Sequence, residues 1–240
     1  MRVGIIQSCY VPWRGYFDFI ASVDKFVFYD DVQYTRRDWR NRNQLKTAAG
    51  LVWISVPVKY ASRGTETIDR TEVVYASDED WQGRHLNLLR QHYSQAPHYA
   101  AAQRLLEDAF AFNDRTISEL NVRLTRSICE CLGIHTEFLH APALQAEGQK
   151  TERLIEILRK VGATRYLSGA SADAYLDKQA FADSGIALEY KSYDYLPYGQ
   201  LWGEFAGTVS ILDLIANCGP GSRDYLRSQS ADRIVVPAAR

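Results

Sequence analysis

Two adjacent carboxylates, Asp30 and Asp31, close an apolar run from Lys25 to Tyr29. A string of nitrogen donors follows at once: Gln33, Arg36, Arg37, Arg40, Asn41, Arg42, Asn43, Gln44 and Lys46. A carboxylate at a strand end can act as a general base or as a ligand for a divalent cation. Guanidinium forks, an ammonium and amides suit a phosphate or a carboxylate on a ligand. The stretch therefore reads as an anion-binding wall beside two candidate catalytic acids, Asp30 and Asp31. Neighbouring strand residues point to opposite faces, so both can meet one ligand only if the chain turns there. The plainer reading is that both aspartates simply open a turn. For the arginines the plainer reading is a solvated face salted by Asp38. Against it stand the apolar run just before the string and Trp39 within it, an aromatic plane among cations.

Two further clusters could share a ligand with this wall. Gln7, Tyr10, Trp13 and Tyr16 flank the turn Val11-Pro12-Trp13-Arg14-Gly15, and polar-tipped aromatics commonly line sugar and nucleotide pockets. Ser168-Gly169-Ala170-Ser171 follows a short strand and leads into a helix with Tyr175 and Leu176, and Ser168, Ser171 and nearby backbone N–H groups can receive an anion. Ser171 as an ordinary helix cap is an equal alternative. The chain has no Walker sequence, no G-x-S-x-G and no H-E-x-x-H, and Cys129-Glu130-Cys131 is a lone C-x-C. No motif identifies a metal site; a nucleotide or a divalent cation as cofactor is left open. Cys9 would need a lowered pKa and a neighbouring base to act as a nucleophile, and spacing shows neither.

These residues need strands and turns to hold them. Val3 to Ile6 and Lys25 to Tyr29 read as strands around a short helix carrying Phe17, Ile20 and Ala21, which makes a parallel βαβ unit. Ligands in such sheets sit beyond the carboxyl ends of the strands, where Gln7 and Asp30 would lie. Thr35 to Gln44 is polar and unassigned. Leu51 to Val58 reads as a strand, Ser62 to Thr67 as a turn and Ile68 to Tyr75 as a short strand. Helical periodicity covers Asp78 to Ser94 and dominates from Tyr99 to Leu132. Ile134 to Leu139 is strand-like, Thr151 to Val161 an amphipathic helix, and Arg165 to Leu167 and Ile186 to Tyr190 strands. Val209 to Ala216 is a helix capped by Ser210 or Thr208, and Ile234 to Val236 closes the chain's ordered pattern. The expectation is one α/β domain over 1–240, a mostly parallel, Rossmann-like sheet flanked by helices, with a helical insertion mid-chain and a candidate hinge at 141–149.

Composition sets the outer limits. The 240 residues carry a formal net charge of -1, so no global positive field draws the chain to nucleic acid. No apolar run reaches membrane-spanning length, and no basic-then-apolar leader is evident. Four scattered cysteines fit free thiols in a reducing compartment. Together these features predict a cytoplasmic protein acting on a small molecule that bears a phosphate or carboxylate.

The ordered set Gln7, Tyr10, Pro12-Trp13, Gly15, Asp30-Asp31-Val32-Gln33-Tyr34 and Asn41-Arg42-Asn43 resembles the WbqC-like proteins. So do Ser168-Gly169-x-Ser171, Tyr175-Leu176, Leu201-Trp202, Ser210-Ile211-Leu212-Asp213-Leu214 and Asn217-Cys218-Gly219. The likeness runs over nearly the whole chain. It departs at the opening, where Gln7-Ser8-Cys9 stands in place of the usual Gln-Pro, and the resemblance assigns Cys9 no nucleophilic role. It implies a bacterial biosynthetic enzyme of O-antigen or natural-product pathways. The implied reaction is transfer of an acyl or aminoacyl group to a sugar or related intermediate. Alternatives are nucleotidyl transfer or adenylate formation, and a non-catalytic partner that delivers substrate to co-encoded biosynthetic enzymes.

Overall fold

A computed structural model describes residues 1–59, 65–75 and 79–237. Its centre is a six-stranded sheet in the order β5-β2-β1-β6-β7-β8. The strands are β1 (Arg2–Ile6), β2 (Lys25–Phe28), β5 (Glu137–His140), β6 (Arg165–Gly169), β7 (Ala187–Lys191) and β8 (Arg233–Val236). All neighbours are parallel except β7 and β8. A separate antiparallel hairpin pairs β3 (Arg42–Thr47) with β4 (Gly50–Ser55). The helices are α1 (Arg14–Ala21), α2 (Trp81–Tyr93), α3 (Tyr99–Phe110), α4 (Ile117–Cys131), α5 (Ala141–Leu144), α6 (Lys150–Lys160), α7 (Lys178–Ser184) and α8 (Ile211–Cys218). The mostly parallel α/β sheet flanked by helices is as the sequence predicts. The chain between β2 and β5 carries the hairpin and then α2, α3 and α4.

The central strands β1, β2, β6 and β7 are buried on both faces, which is why they read as largely apolar runs. Val3 and Ile5 of β1 and Val27 of β2 join one core with Leu154 and Leu158 of α6 and Phe181 of α7. Phe26 and Phe28 of β2 face the other core, with Phe17 and Phe19 of α1 and the apolar faces of α2, α3, α4 and α8. Gly4 is required here: a β-carbon on it would lie 2.3 Å from the Phe19 ring. That close approach sets α1 directly against β1.

Three readings need correction or limits. Ile68 to Tyr75 is not a strand but a 3₁₀ turn, Ile68–Arg70, followed by isolated bridges of Glu72 and Val73. Ile68 is buried by tertiary packing, and Thr71 closes the turn through its hydroxyl onto the Thr67 carbonyl, 2.8 Å. Tyr175 and Leu176 are not on a helix; a 3₁₀ turn, Ala170–Ala174, ends just before them. Residues 62–64 of the turn read at Ser62 to Thr67 lie outside the described residues.

Helix α2 meets the turn after β1 through His85. Its Nδ1 lies 2.9 Å from the hydroxyl of Tyr10, and both side chains are buried. Burial pulls the His85 pKa down from 6.5 to about 4, with the Arg84 charge adding to the shift. Above the unfolded value the imidazole is neutral in both states. As pH falls, the unfolded chain takes up the proton first, so stability is lost progressively from about pH 6.5 to about pH 4. The full loss is about 3 kcal/mol. Urea unfolding of the wild type and of His85→Gln at about pH 7.5 and about pH 4.5 should show a smaller acid loss in the variant, by about 2 kcal/mol. Equal losses would show that His85 does not govern this limb.

Candidate functional site

In this sheet the chain leaves β1 in one direction, to β2 and β5, and continues from β6 in the other, to β7 and β8. The order thus reverses between β1 and β6, and the crevice at their carboxyl ends is where open α/β sheets bind ligands. A cavity of about 850 Å³ occupies that crevice. Ile6 and Gln7 from the end of β1, and Ser168, Gly169, Ser171 and Ala172 from the end of β6, form two of its sides. Trp13, Tyr16, Tyr29, Tyr166, Tyr175 and Tyr193 supply aromatic walls. Trp13 and Tyr193 face each other with ring centres 5.3 Å apart.

The polarity of the cavity is one-sided. Arg40 and Lys150 line it, and no carboxylate does among the described residues. Lys150 begins α6, whose amino-terminal end also brings Leu154 to the wall. No side chain caps that helix end, whose first turn carries Glu152 outside the cavity lining. A β-carbon built on Gly169 would lie 3.8 Å from Ser171 Oγ and 3.9 Å from the Tyr193 hydroxyl, so two hydroxyls flank this glycine. Burial raises the pKa of Tyr193 and of Tyr166, which keeps both phenols protonated as donors.

The turn that carries Gln7 to Trp13 is held from outside. Val11 has φ of 35°, a left-handed value that a β-branched residue adopts only under constraint. Its carbonyl accepts from Asn43 Nδ2 at 3.0 Å and from Ser210 Oγ at 2.7 Å, while the Tyr10 carbonyl accepts from Asn43 Nδ2 at 3.2 Å. Arg40 Nη1 donates to the carbonyls of Gln7 and Ser8, at 3.2 and 3.0 Å, and approaches Cys9 Sγ at 2.9 Å. Asp30 accepts from the Ser8 amide at 2.7 Å and the Ser118 hydroxyl at 2.5 Å. Burial raises the Asp30 pKa, and the hydrogen bonds from Ser118 and Ser8 partly offset that rise. Burial likewise pushes the Cys9 thiol up to about 11, although the Arg40 cation opposes it.

The predicted residues therefore divide by place. Gln7, Trp13, Arg40, Ser168 and Ser171 come together at the cavity. Tyr10 is buried behind the turn on His85. Asn43 braces the turn, Asn41 Nδ2 donates to the Val56 carbonyl at 2.7 Å, and Lys46 Nζ donates to Gln200 Oε1 at 3.0 Å. Arg42 lies 4.2 Å over the Trp53 ring and donates to the Arg37 carbonyl. Gln33, Arg36 and Arg37 are exposed and do not line the cavity. Asp31 pairs with Arg153, which also donates to the hydroxyl of the cavity residue Tyr29 at 3.4 Å. The other Asp31 oxygen, Oδ1, is buried with no hydrogen-bond partner among the described residues. No group of three or more His, Cys, Asp or Glu is placed to hold a metal ion among the described residues. Nor is any helix there long and apolar enough to cross a membrane.

The sequence reading missed Lys150, Tyr29, Tyr166 and Tyr193. Lys150 had a signal: Gly148-Gln149-Lys150-Thr151 opens an amphipathic helix that follows a strand. The tyrosines had none, because their meeting depends on strand order.

Comparison with known proteins adds a family and a relative. A sequence model of the WbqC-like protein family matches residues 7–225. A protein of Mycobacterium tuberculosis named Uncharacterized protein Rv1507c is 44% identical over 228 residues, covering 94% of this chain and 97% of its own. No solved structure matches the chain.

Two substitutions test how the site is held. Asn43→Ala takes a partner from the Tyr10 carbonyl and the Gln44 amide and leaves the Val11 carbonyl with Ser210 Oγ alone. It should cost about 2–3 kcal/mol in urea unfolding, and a loss below about 0.5 kcal/mol would show that the brace is not needed. Gly15→Ala would gain up to about 1 kcal/mol from helix propensity alone. A β-carbon there, however, falls 2.3 to 2.6 Å from the Trp13 indole. The variant should be less stable than wild type and show shifted tryptophan fluorescence; a gain in stability would refute the tight Trp13 seat.

Proposed function

The chain belongs to the WbqC-like protein family, and on that premise we propose that it is a small-molecule biosynthetic group transferase whose anionic substrate lies in the switch-point cavity. The observation that carries this reading is the cavity's polarity: Arg40, Lys150 and an uncapped helix end against no lining carboxylate. Arg40 and Lys150 would hold the phosphate or carboxylate, with the Ser168 and Ser171 hydroxyls and the adjoining backbone completing its shell. Trp13, Tyr193 and Tyr175 would receive the flat or sugar part of the same molecule. Asp31 is the better placed of the two acids to take a proton, since Arg153 ties it to the cavity wall at Tyr29. Asp30 is enclosed by Ser8 and Ser118 and serves as a positioning residue for the turn. The transferred group is proposed to be an acyl or aminoacyl group, passed to a sugar or natural-product intermediate.

The aromatic walls also favour a donor that carries a nucleotide, so nucleotidyl transfer is the second reading. Titration calorimetry with inorganic phosphate, nucleoside phosphates and nucleotide-sugars tests both. Lys150 is exposed, so Lys150→Glu should fold normally and weaken binding of the best ligand about tenfold or more. Unchanged affinity in that variant, or no saturable binding of any of these anions to the wild type, overturns the placement. Product formed by the purified protein alone separates an enzyme from a delivery partner, which would need a co-encoded enzyme for turnover.

A further inference from the structure

A second cavity, of about 390 Å³, lies beside the first. Cys9, Pro12, Trp13, Tyr16, Trp39, Asn43 and Thr208 line it. Trp13 and Tyr16 line both cavities, so the same two rings form the partition between them. Arg40 belongs to the first cavity and its Nη1 touches Cys9 Sγ of the second at 2.9 Å. The two spaces therefore meet at Trp13, Tyr16, Arg40 and Cys9, and an anion held by Arg40 has the second cavity next to it.

The second cavity differs from the first in character. No charged side chain lines it among the described residues. The Asn43 amide is committed to the turn, donating to two carbonyls and accepting from the Gln44 amide. Burial holds Cys9 as a neutral thiol. What a ligand meets is Pro12, two indoles, a phenol edge and a thiol, with the exposed Thr208 at the margin. Its volume is at the small end of ligand pockets, enough for a compact fragment rather than a nucleotide.

We propose that this cavity is a specificity pocket for a short apolar acyl or alkyl group carried by the anionic substrate. The inference rests on the first cavity being the anion site, and it adds what the substrate must carry next to its charge. A wholly polar substrate would leave the Trp13, Tyr16 and Trp39 walls uncovered, and burying apolar atoms there is favourable by about 0.8 kcal/mol per methylene.

The test is calorimetry with inorganic phosphate and a series of n-alkyl phosphates of increasing length. In the wild type, affinity should rise about fourfold with each added methylene and then level off once the pocket is full. Thr208→Trp, at an exposed position, should fill the pocket: phosphate affinity stays and the rise with length disappears. Trp39→Ala, also exposed in the native chain, should make the rise shallower. Phosphate binding with no dependence on length overturns this inference and leaves the anion site standing. A rise that survives unchanged in Thr208→Trp also overturns it, because the chain then lies elsewhere. Failure of phosphate and of every alkyl phosphate to bind overturns both readings.

Discussion

The structure depends on a bent turn held by side chains remote from it in sequence. Val11 sits at a left-handed φ that costs on the order of 1–3 kcal/mol for a residue of its kind. Nothing within Gln7 to Trp13 offsets that cost. Asn43 from the hairpin and Ser210 from the start of α8 both grip the Val11 carbonyl, each bond contributing about 1 kcal/mol net and more if left unmade. Arg40 and Asp30 do the same for Gln7 and Ser8. The bend aims Trp13 across the end of the sheet, and Gly15 leaves the room for its ring. Cavity shape follows from the brace, and the brace from elements that are not in the sheet.

This explains why so polar a string follows β2. A buried turn exposes carbonyls that no strand can satisfy, and buried polar groups must find partners. Arg40 and Asn43 bring multiple N–H donors on one planar group, which suits several carbonyls at once. Asn41 satisfies the Val56 carbonyl just past the hairpin, and Lys46 ties the hairpin to Gln200. The other donors lining the cavity come from further along, at Lys150 and the Ser168–Ser171 turn, while Arg40 lines it from its place on the turn and pairs through Nε with Asp38 at 3.6 Å.

Much of the fold was legible in the sequence, and the site only in part. The βαβ opening, the parallel strands and the amphipathic helices announce themselves through periodicity and β-branched runs, because both sheet faces are buried. Gln7, Trp13, Ser168 and Ser171 could be placed because strand ends in parallel sheets are known binding positions. Strand β3 was opaque: Asn43 is one of its buried residues, so the usual apolar alternation is broken where the brace is needed. Ile68 to Tyr75 has strand composition, yet its backbone groups pair with scattered positions, among them Asp30, Val32, Pro57, Lys59, Arg115 and Ile117, and not with one neighbouring strand. Whether an arginine faces a ligand or its own backbone is a question of tertiary partners, on which residue type is silent.

The two gripping elements are themselves tied together, and this makes the brace rigid. The Lys46 amide of β3 donates to the Tyr93 hydroxyl of α2 at 2.9 Å, and that hydroxyl donates to Asp213 of α8 at 2.8 Å. Asp213 also accepts from the Tyr198 hydroxyl at 2.8 Å and from Gln200 Nε2 at 2.7 Å, and Gln200 in turn holds Lys46 Nζ. Burial raises the Asp213 pKa, while these donors work against the rise. A buried carboxylate with several donors, Asn217 Nδ2 at 3.4 Å among them, is costly to disturb, because removing one partner leaves charge without compensation. Hairpin and α8 are thus locked to each other behind the turn, three residues from Asn43 on one side and three from Ser210 on the other. Both grips therefore stand on backbone that this cluster joins, which supports the strained turn and, through it, the shared Trp13 wall of the two cavities.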